Sequence, residues 1–184
     1  MGFKTAVTLQ DGTAEPVICW DPGGASFQIT SCTDGGLRSY LGALGTGVTT
    51  SILGESTQGR ALADSPSPNP VTMQQAVALT EELKKKVPEA AEWLKAIGGP
   101  NSMFCVASEA LGVLKYGTAD VRRVLEGPVG LSDSELASKV FCQGELREPP
   151  AYIIPKLCLL LAVLEHCGIA EVKYCHATGA TQIC

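Results

Sequence analysis

Along the chain, apolar and polar positions first alternate with the period of strands and then lengthen into helical repeats. Val17 to Trp20 and Ser26 to Thr30 read as two strands joined by a tight Asp-Pro-Gly-Gly turn. Gly35-Gly36 offers a second turn, and Leu37 to Leu41 a third strand. Short strands on short turns predict an antiparallel meander at the start of the fold. The glycine-rich stretch from Gly42 to Gly54 follows, and its Val48-to-Leu53 part predicts a helix opening off a loop. Residues 61–70 (ALADSPSPNP) alternate three prolines with small polar residues, the pattern of a surface loop.

Thr72-x-x-Gln75 is a capping-box start for a helix over MQQAVALTEELKKK. Pro88 suits the first turn of a second helix, PEAAEWLKAI, stopping at Gly98-Gly99-Pro100. Met103 to Ala107 (MFCVA) is wholly apolar, as expected of a strand covered on both faces. Helical segments follow over 109–116 and 118–126, and Ser132-x-x-Glu135 caps another reaching Val140. Ala151 to Cys167 is helical and apolar nearly all round, so it should be buried, with Pro155 in its first turns. Gly168 ends it, and Glu171 to Cys175 reads as the final strand. The order is α/β, with an antiparallel three-strand start and parallel additions, in a single domain over 1–184.

Composition narrows the function classes. The chain has 184 residues, 45% hydrophobic and 18% charged, enough to bury a core. Leu157 to Leu164 is the longest apolar run and is too short to span a bilayer, so no membrane role is expected. The eight cysteines form no CxxC pair, and the absence of a secretory pattern at the start favours reduced thiols and a cytoplasmic location. His166 and His176 flank Cys167 and Cys175 without a usual zinc spacing, which favours packing roles. The net charge is −5, and Lys84-Lys85-Lys86 follows Glu81-Glu82 at helical spacing as a solvated face. Nothing in this balance suits nucleic acid.

The stretch DPGGASFQI, Asp21 to Ile29, carries the candidate chemistry. Glycines in a turn let backbone amides approach an anion and form a nest. A serine hydroxyl can donate to a phosphate oxygen, and an aspartate at a strand end can hold Mg²⁺. Taken alone, the same residues also suit an ordinary hairpin turn.

DPGGAS-x-Q-I resembles the phosphate-binding hairpin that opens the second domain in the actin-like ATPase and sugar-kinase superfamily. The exopolyphosphatase and guanosine pentaphosphate phosphohydrolase (Ppx/GppA) family has D-I-G-G-G-S-T-E-L at that place. SYLGALGTGVTT resembles the family's third strand and its S-L-P-L-G-A-V-x-L-T segment. REPPAYIIPKLCLLLAVLEHCGIAEVKYCHATG resembles its late R-x-D-x-I-L-P-G-x-x-I-L helix and the strand after it. The apyrase-type nucleoside di- and triphosphatases carry D-L-G-G-A-S-T-Q-I, which Ala25, Gln28 and Ile29 match better. Apyrases are mostly secretory or membrane-attached and disulfide-bearing, which favours the first family.

The resemblance implies an RNase H-like (actin-like ATPase) domain, a mixed sheet with helices on both faces, forming the second half of a two-domain protein. It implies Asp21 as the Mg²⁺-associated carboxylate. Gly23, Gly24 and Ala25 would supply amides and Ser26 a hydroxyl to a terminal phosphate, and Gln28 would orient the attacking water. The implied reaction is metal-assisted hydrolysis of polyphosphate or guanosine polyphosphates, with a glutamate base.

Departures from the family pattern point to a chain that is inactive by itself. In the family the other phosphate loop and the base belong to the first domain, which the resemblance implies for an N-terminal domain of the same protein, and MGFKTAV resembles that domain's end. Pro22 and Phe27 replace an aliphatic residue and a threonine. Ala107-Ser108-Glu109-Ala110 stands where a glycine-threonine turn is expected. Arg38, Arg147 and Lys156 read as solvated surface positions rather than cleft residues. The rival expectation is a non-catalytic interaction module. An uncovered cleft face would allow a homodimer in either case.

Overall fold

The computed structural model describes residues 18–33, 36–60, 66–87, 94–98, 102–143 and 147–176. The first strands are β1 (Ile18–Pro22), β2 (Phe27–Thr33) and β3 (Gly36–Gly42), and they form the expected antiparallel meander. Helix α1 (Thr46–Ile52) runs on into a π-helical turn, Leu53–Thr57. Then come α2 (Met73–Lys84), β4 (Leu94–Gly98), α3 (Met103–Leu111), β5 (Lys115–Gly117) and α4 (Thr118–Glu126). The short α5 (Asp133–Leu136), the long α6 (Pro150–His166) and β6 (Glu171–His176) complete the order.

The sheet runs β3-β2-β1-β4-β6-β5, with β4 parallel to β1 and to β6, and β5 antiparallel to β6. Its centre is dry: neighbouring Cys19 and Trp20 of β1 are both buried, so both faces are covered there. Trp20 stacks on Phe27 across the hairpin at a centroid separation of 4.7 Å, and Phe27 leans on Tyr40 at 5.9 Å. Such pairs add about 1 kcal/mol each beyond area burial.

Helix α6 is the core around which α1, α2, α3, α4 and α5 pack. All of Ile153 to Leu164 is buried, which explains why its sequence shows no polar face. Thr72 and Gln75 form the expected capping box of α2, and Ser132 and Glu135 that of α5.

Three expectations fail on α/β ambiguity. The run MFCVA is not a strand but the start of α3, with Ser102 as N-cap accepting from the Cys105 amide. Gly112 (φ 69) ends that helix in the left-handed region open to glycine. A short, wholly apolar run fits a buried helix as well as a buried strand. Conversely, Leu94–Gly98, expected as the end of a helix, is β4, held between β1 and β6, where pairing with two strands overrides local preference. Residues 88–93, the rest of that expected helix, lie outside the described residues. The segment over 109–116 stops being helical after Leu111, and its end is β5. The α5 helix also ends at Leu136, short of Val140.

Among the described residues no helix is long and apolar enough to cross a membrane. Cys19, Cys105, Cys142 and Cys158 are free thiols. Cys32 and Cys184 fall where side chains are not described.

Candidate functional site

Asp21 and Pro22 belong to β1, so the hairpin loop is Gly23, Gly24, Ala25 and Ser26 rather than Asp-Pro-Gly-Gly. The loop is closed by the Gly23 amide donating to the Ser26 carbonyl at 2.7 Å. Among the described residues, nothing accepts from the amides of Gly24, Ala25 and Ser26, or pairs with the Ser26 hydroxyl. All three residues are exposed. Successive unpaired amides on a tight loop present a concentrated positive field, the arrangement that holds anions.

The start of α1 clamps this loop. The Gly47 amide donates to the Gly24 carbonyl at 2.9 Å, and the Thr46 amide to the Gly23 carbonyl at 3.4 Å. These are the amides a helix start leaves unsatisfied; here they hold the carbonyl side of the hairpin, leaving its amide side outward. The approach is so close that only glycine fits at 45. A Cβ there would lie 2.5 Å from the Gly24 carbonyl carbon and 2.6 Å from the Ala25 nitrogen.

Beside the clamped loop lies a cavity of about 550 Å³ whose walls include Pro22, Gly23, Gly24, Thr46, Ser102 and Lys156. Met103, Pro149 and Tyr152 supply apolar surface, and Glu148 completes the charged wall. Lys156 is therefore not the solvated surface position expected from sequence: it is buried and pairs with buried Glu148 at 2.7 Å. Burial pushes the Glu148 carboxyl above its ordinary range, against the pull of Lys156. Burial likewise lowers the Lys156 ammonium, with Glu148 opposing the shift. Arg38 and Arg147 are exposed, as expected.

The candidate residues divide between two environments. Gly23 and Gly24 line the cavity. Ala25 and Ser26 occupy the exposed loop, although the Gly23 amide is engaged inside the turn. Asp21 and Gln28 are directly opposite one another in the β1–β2 register. Asp21 is half-buried, and burial raises its carboxyl. Gln28 is exposed and donates through Nε2 to Thr30 Oγ1 at 3.2 Å, which leaves its Oε1 available as an acceptor.

Among the described residues no group of three or more His, Cys, Asp or Glu could hold a metal ion. Mg²⁺ is commonly held by one or two carboxylates together with substrate phosphates and waters. Asp21 therefore fits Mg²⁺ that comes with a phosphate, and does not fit a resident ion in a protein cage.

Sequence reasoning missed Ser102, Glu148 and the burial of Lys156. The signal was a lysine inside PAYIIPKLCLLLAVL, since a charge in an apolar helix requires a partner, with Glu148 two turns earlier. The expected departure at Ala107 to Ala110 also changes. Those residues lie on α3 and form no turn after a strand.

No family model matches the chain, and no curated protein matches it in sequence. Solved structures do. It is similar to the Ppx/GppA phosphatase of Aquifex aeolicus, with a TM-score of 0.64 at 14% identity over 92% of this chain and 55% of that one. An exopolyphosphatase from Cytophaga hutchinsonii gives a TM-score of 0.54 at 15% identity, covering 94% of this chain and 56% of that one. An exopolyphosphatase-like protein gives 0.58 at 12% identity, covering 95% and 61%. The likeness is one of fold and agrees with the resemblance drawn from the hairpin: this chain shares the mixed α/β fold of those structures. The chain spans a little over half the length of these structures.

Proposed function

We propose that this domain is the phosphate-holding half of a phosphoanhydride hydrolase acting on polyphosphate or guanosine polyphosphates. The observation that carries the proposal is the run of unpaired amides at Gly24, Ala25 and Ser26, clamped by α1 beside a cavity. In this role the amides and the Ser26 hydroxyl bind the terminal phosphate and fix its orientation. Gln28, tethered through Nε2, offers Oε1 to a water and holds its lone pair towards the phosphorus. Asp21 would hold Mg²⁺, which when bound neutralises phosphate charge and polarises the P–O bond.

The general base and a second phosphate loop would come from an N-terminal domain of the same protein, closing over the cavity. By itself the domain binds and orients but does not turn over. A second reading, a non-catalytic interaction module, draws on Phe27: where the resembled family has a polar threonine, this ring is buried against Trp20.

Calorimetric titration with polyphosphate or guanosine tetraphosphate, with and without Mg²⁺, separates the two. Binding that weakens about tenfold in Ser26→Ala, the worth of one charge-assisted hydrogen bond, supports the half-site. Absence of binding in wild type supports the module. Brisk Mg²⁺-dependent phosphate release by this chain alone would refute the half-site proposal.

A further inference from the structure

We infer that Lys156 is the anion anchor of the cavity and that Glu148 is its resident counter-ion, displaced when a phosphate arrives, so that binding takes up a proton. The inference rests on the phosphate reading of the hairpin and assigns the electrostatics of the same site.

Stability alone does not account for the pair. Between Ile153 and Leu164 α6 is buried and apolar apart from Lys156. Replacing a buried ion pair by apolar residues of similar size is often neutral or stabilising. Yet the chain is shaped to place this pair on the cavity wall. Arg147 takes a left-handed turn (φ 40), an uncommon conformation for a residue with a side chain. The Glu148 amide then anchors to the Phe141 carbonyl at 3.1 Å. These two features set Glu148 against Lys156, on the wall of the cavity that Gly23 and Gly24 also line.

A phosphate seated on the loop amides brings negative charge to a wall holding an ammonium and a carboxylate. Two anions cannot share Lys156 in a buried setting without strong repulsion. The exchange balances when Glu148 accepts one proton from solvent: the carboxylate becomes a neutral acid, and the ammonium transfers its pairing to the phosphate. Burial already favours the first change by raising the Glu148 carboxyl, and it lowers the Lys156 ammonium, which therefore needs an anion beside it to stay charged.

Among the described residues, Cys105 of α3 senses both charges of the pair, and Cys142 senses Glu148. Glu109 bears on Cys105, and Asp133 on Cys142. Burial raises both thiols, so they stay neutral near pH 7 and leave Glu148 as the group that takes the proton.

Titration of inorganic tripolyphosphate into the whole chain at pH 7, in two buffers of different ionisation enthalpy, measures affinity and proton uptake together. Glu148→Gln should bind about tenfold tighter than wild type and lose the extra proton uptake that wild type shows. Lys156→Met leaves Glu148 buried without its partner and is prone to unfold. The neutral pair Glu148→Gln/Lys156→Met keeps the fold testable, and it should bind about tenfold or more weaker than Glu148→Gln alone. Equal or weaker binding by a folded Glu148→Gln, or equal proton uptake in the two proteins, overturns the inference. If wild type binds and Ser26→Ala weakens it while both Glu148 variants match wild type, only this inference fails. If neither wild type nor Glu148→Gln binds, the phosphate reading fails and takes the inference with it.

Discussion

Gly45→Ala tests the clamp that turns a loop into a site. The added Cβ would stand 2.5 Å from the Gly24 carbonyl carbon and 2.6 Å from the Ala25 nitrogen, both backbone atoms that cannot rotate away. Restoring an ordinary separation of roughly 3.5 Å requires the start of α1 to retreat from the hairpin by about 1 Å. That movement breaks the 2.9 Å bond from the Gly47 amide to the Gly24 carbonyl and the longer one from Thr46. Their loss costs about 1 kcal/mol, and local overpacking adds about 1–3 kcal/mol, for a total of about 2–4 kcal/mol. With a urea dependence of about 2–3 kcal/mol/M for a domain of this size, the unfolding midpoint should fall by about 1 M or more. Gly24→Ala is the matched control, because a Cβ there meets nothing within 4 Å. It should change stability by no more than about 0.5 kcal/mol. Urea unfolding followed by tryptophan fluorescence reads the two variants side by side, with buried Trp20 next to the hairpin as reporter. A Gly45→Ala midpoint matching that of Gly24→Ala would refute the reasoning.

Other expectations follow from the packing of α6. Glu165 joins three helices, pairing with Lys84 of α2 and, at 2.9 Å, with Arg122 Nε of α4. Burial pulls its carboxyl upward, but Lys84 and Arg122 outweigh it and hold the group below the ordinary value of 4.5. A depressed carboxyl stabilises above its unfolded value and loses that contribution as pH falls through the folded one. Glu165→Gln should therefore cost about 1 kcal/mol at pH 7, discounted for the exposed arginine, and flatten the loss of stability measured between about pH 5 and pH 3. Leu160→Ala, at a site with no exposed surface, should lower stability by about 2–5 kcal/mol in the same urea assay. The Cys158 thiol, pushed up to about 12 by burial, should resist a thiol reagent at pH 8 in the native state. Half-buried Cys142 should label well before Cys158, as mass spectrometry of peptides would show.

How much was legible in the sequence depended on whether a segment's chemistry is local. The hairpin strands, the capping boxes at Thr72 and Ser132, and the largely apolar α6 carry their signals within a few residues and form as expected, with the hairpin turn shifted to Gly23–Ser26. Segments decided by distant partners did not read correctly. Leu94–Gly98 becomes a strand because β1 and β6 flank it, and MFCVA becomes helical because Ser102 and Gly112 bound it. The site divides in the same way. Gly23 to Ser26 were visible as a turn that could hold an anion. The α1 clamp depends on the third dimension, since Gly45 and Gly24 approach only once β3 has folded back. Lys156 was visible as a charge on an apolar helix, but its burial against Glu148 was not.

The most direct test of the central claim is an amide ¹H–¹⁵N titration of the whole chain with tripolyphosphate. The account predicts saturable shifts led by Gly24, Ala25 and Ser26, whose amides have no acceptor among the described residues, with smaller shifts at Thr46 and Gly47 behind them. A titration that leaves those three amides unmoved, or that shifts only residues remote from the cavity, would contradict it.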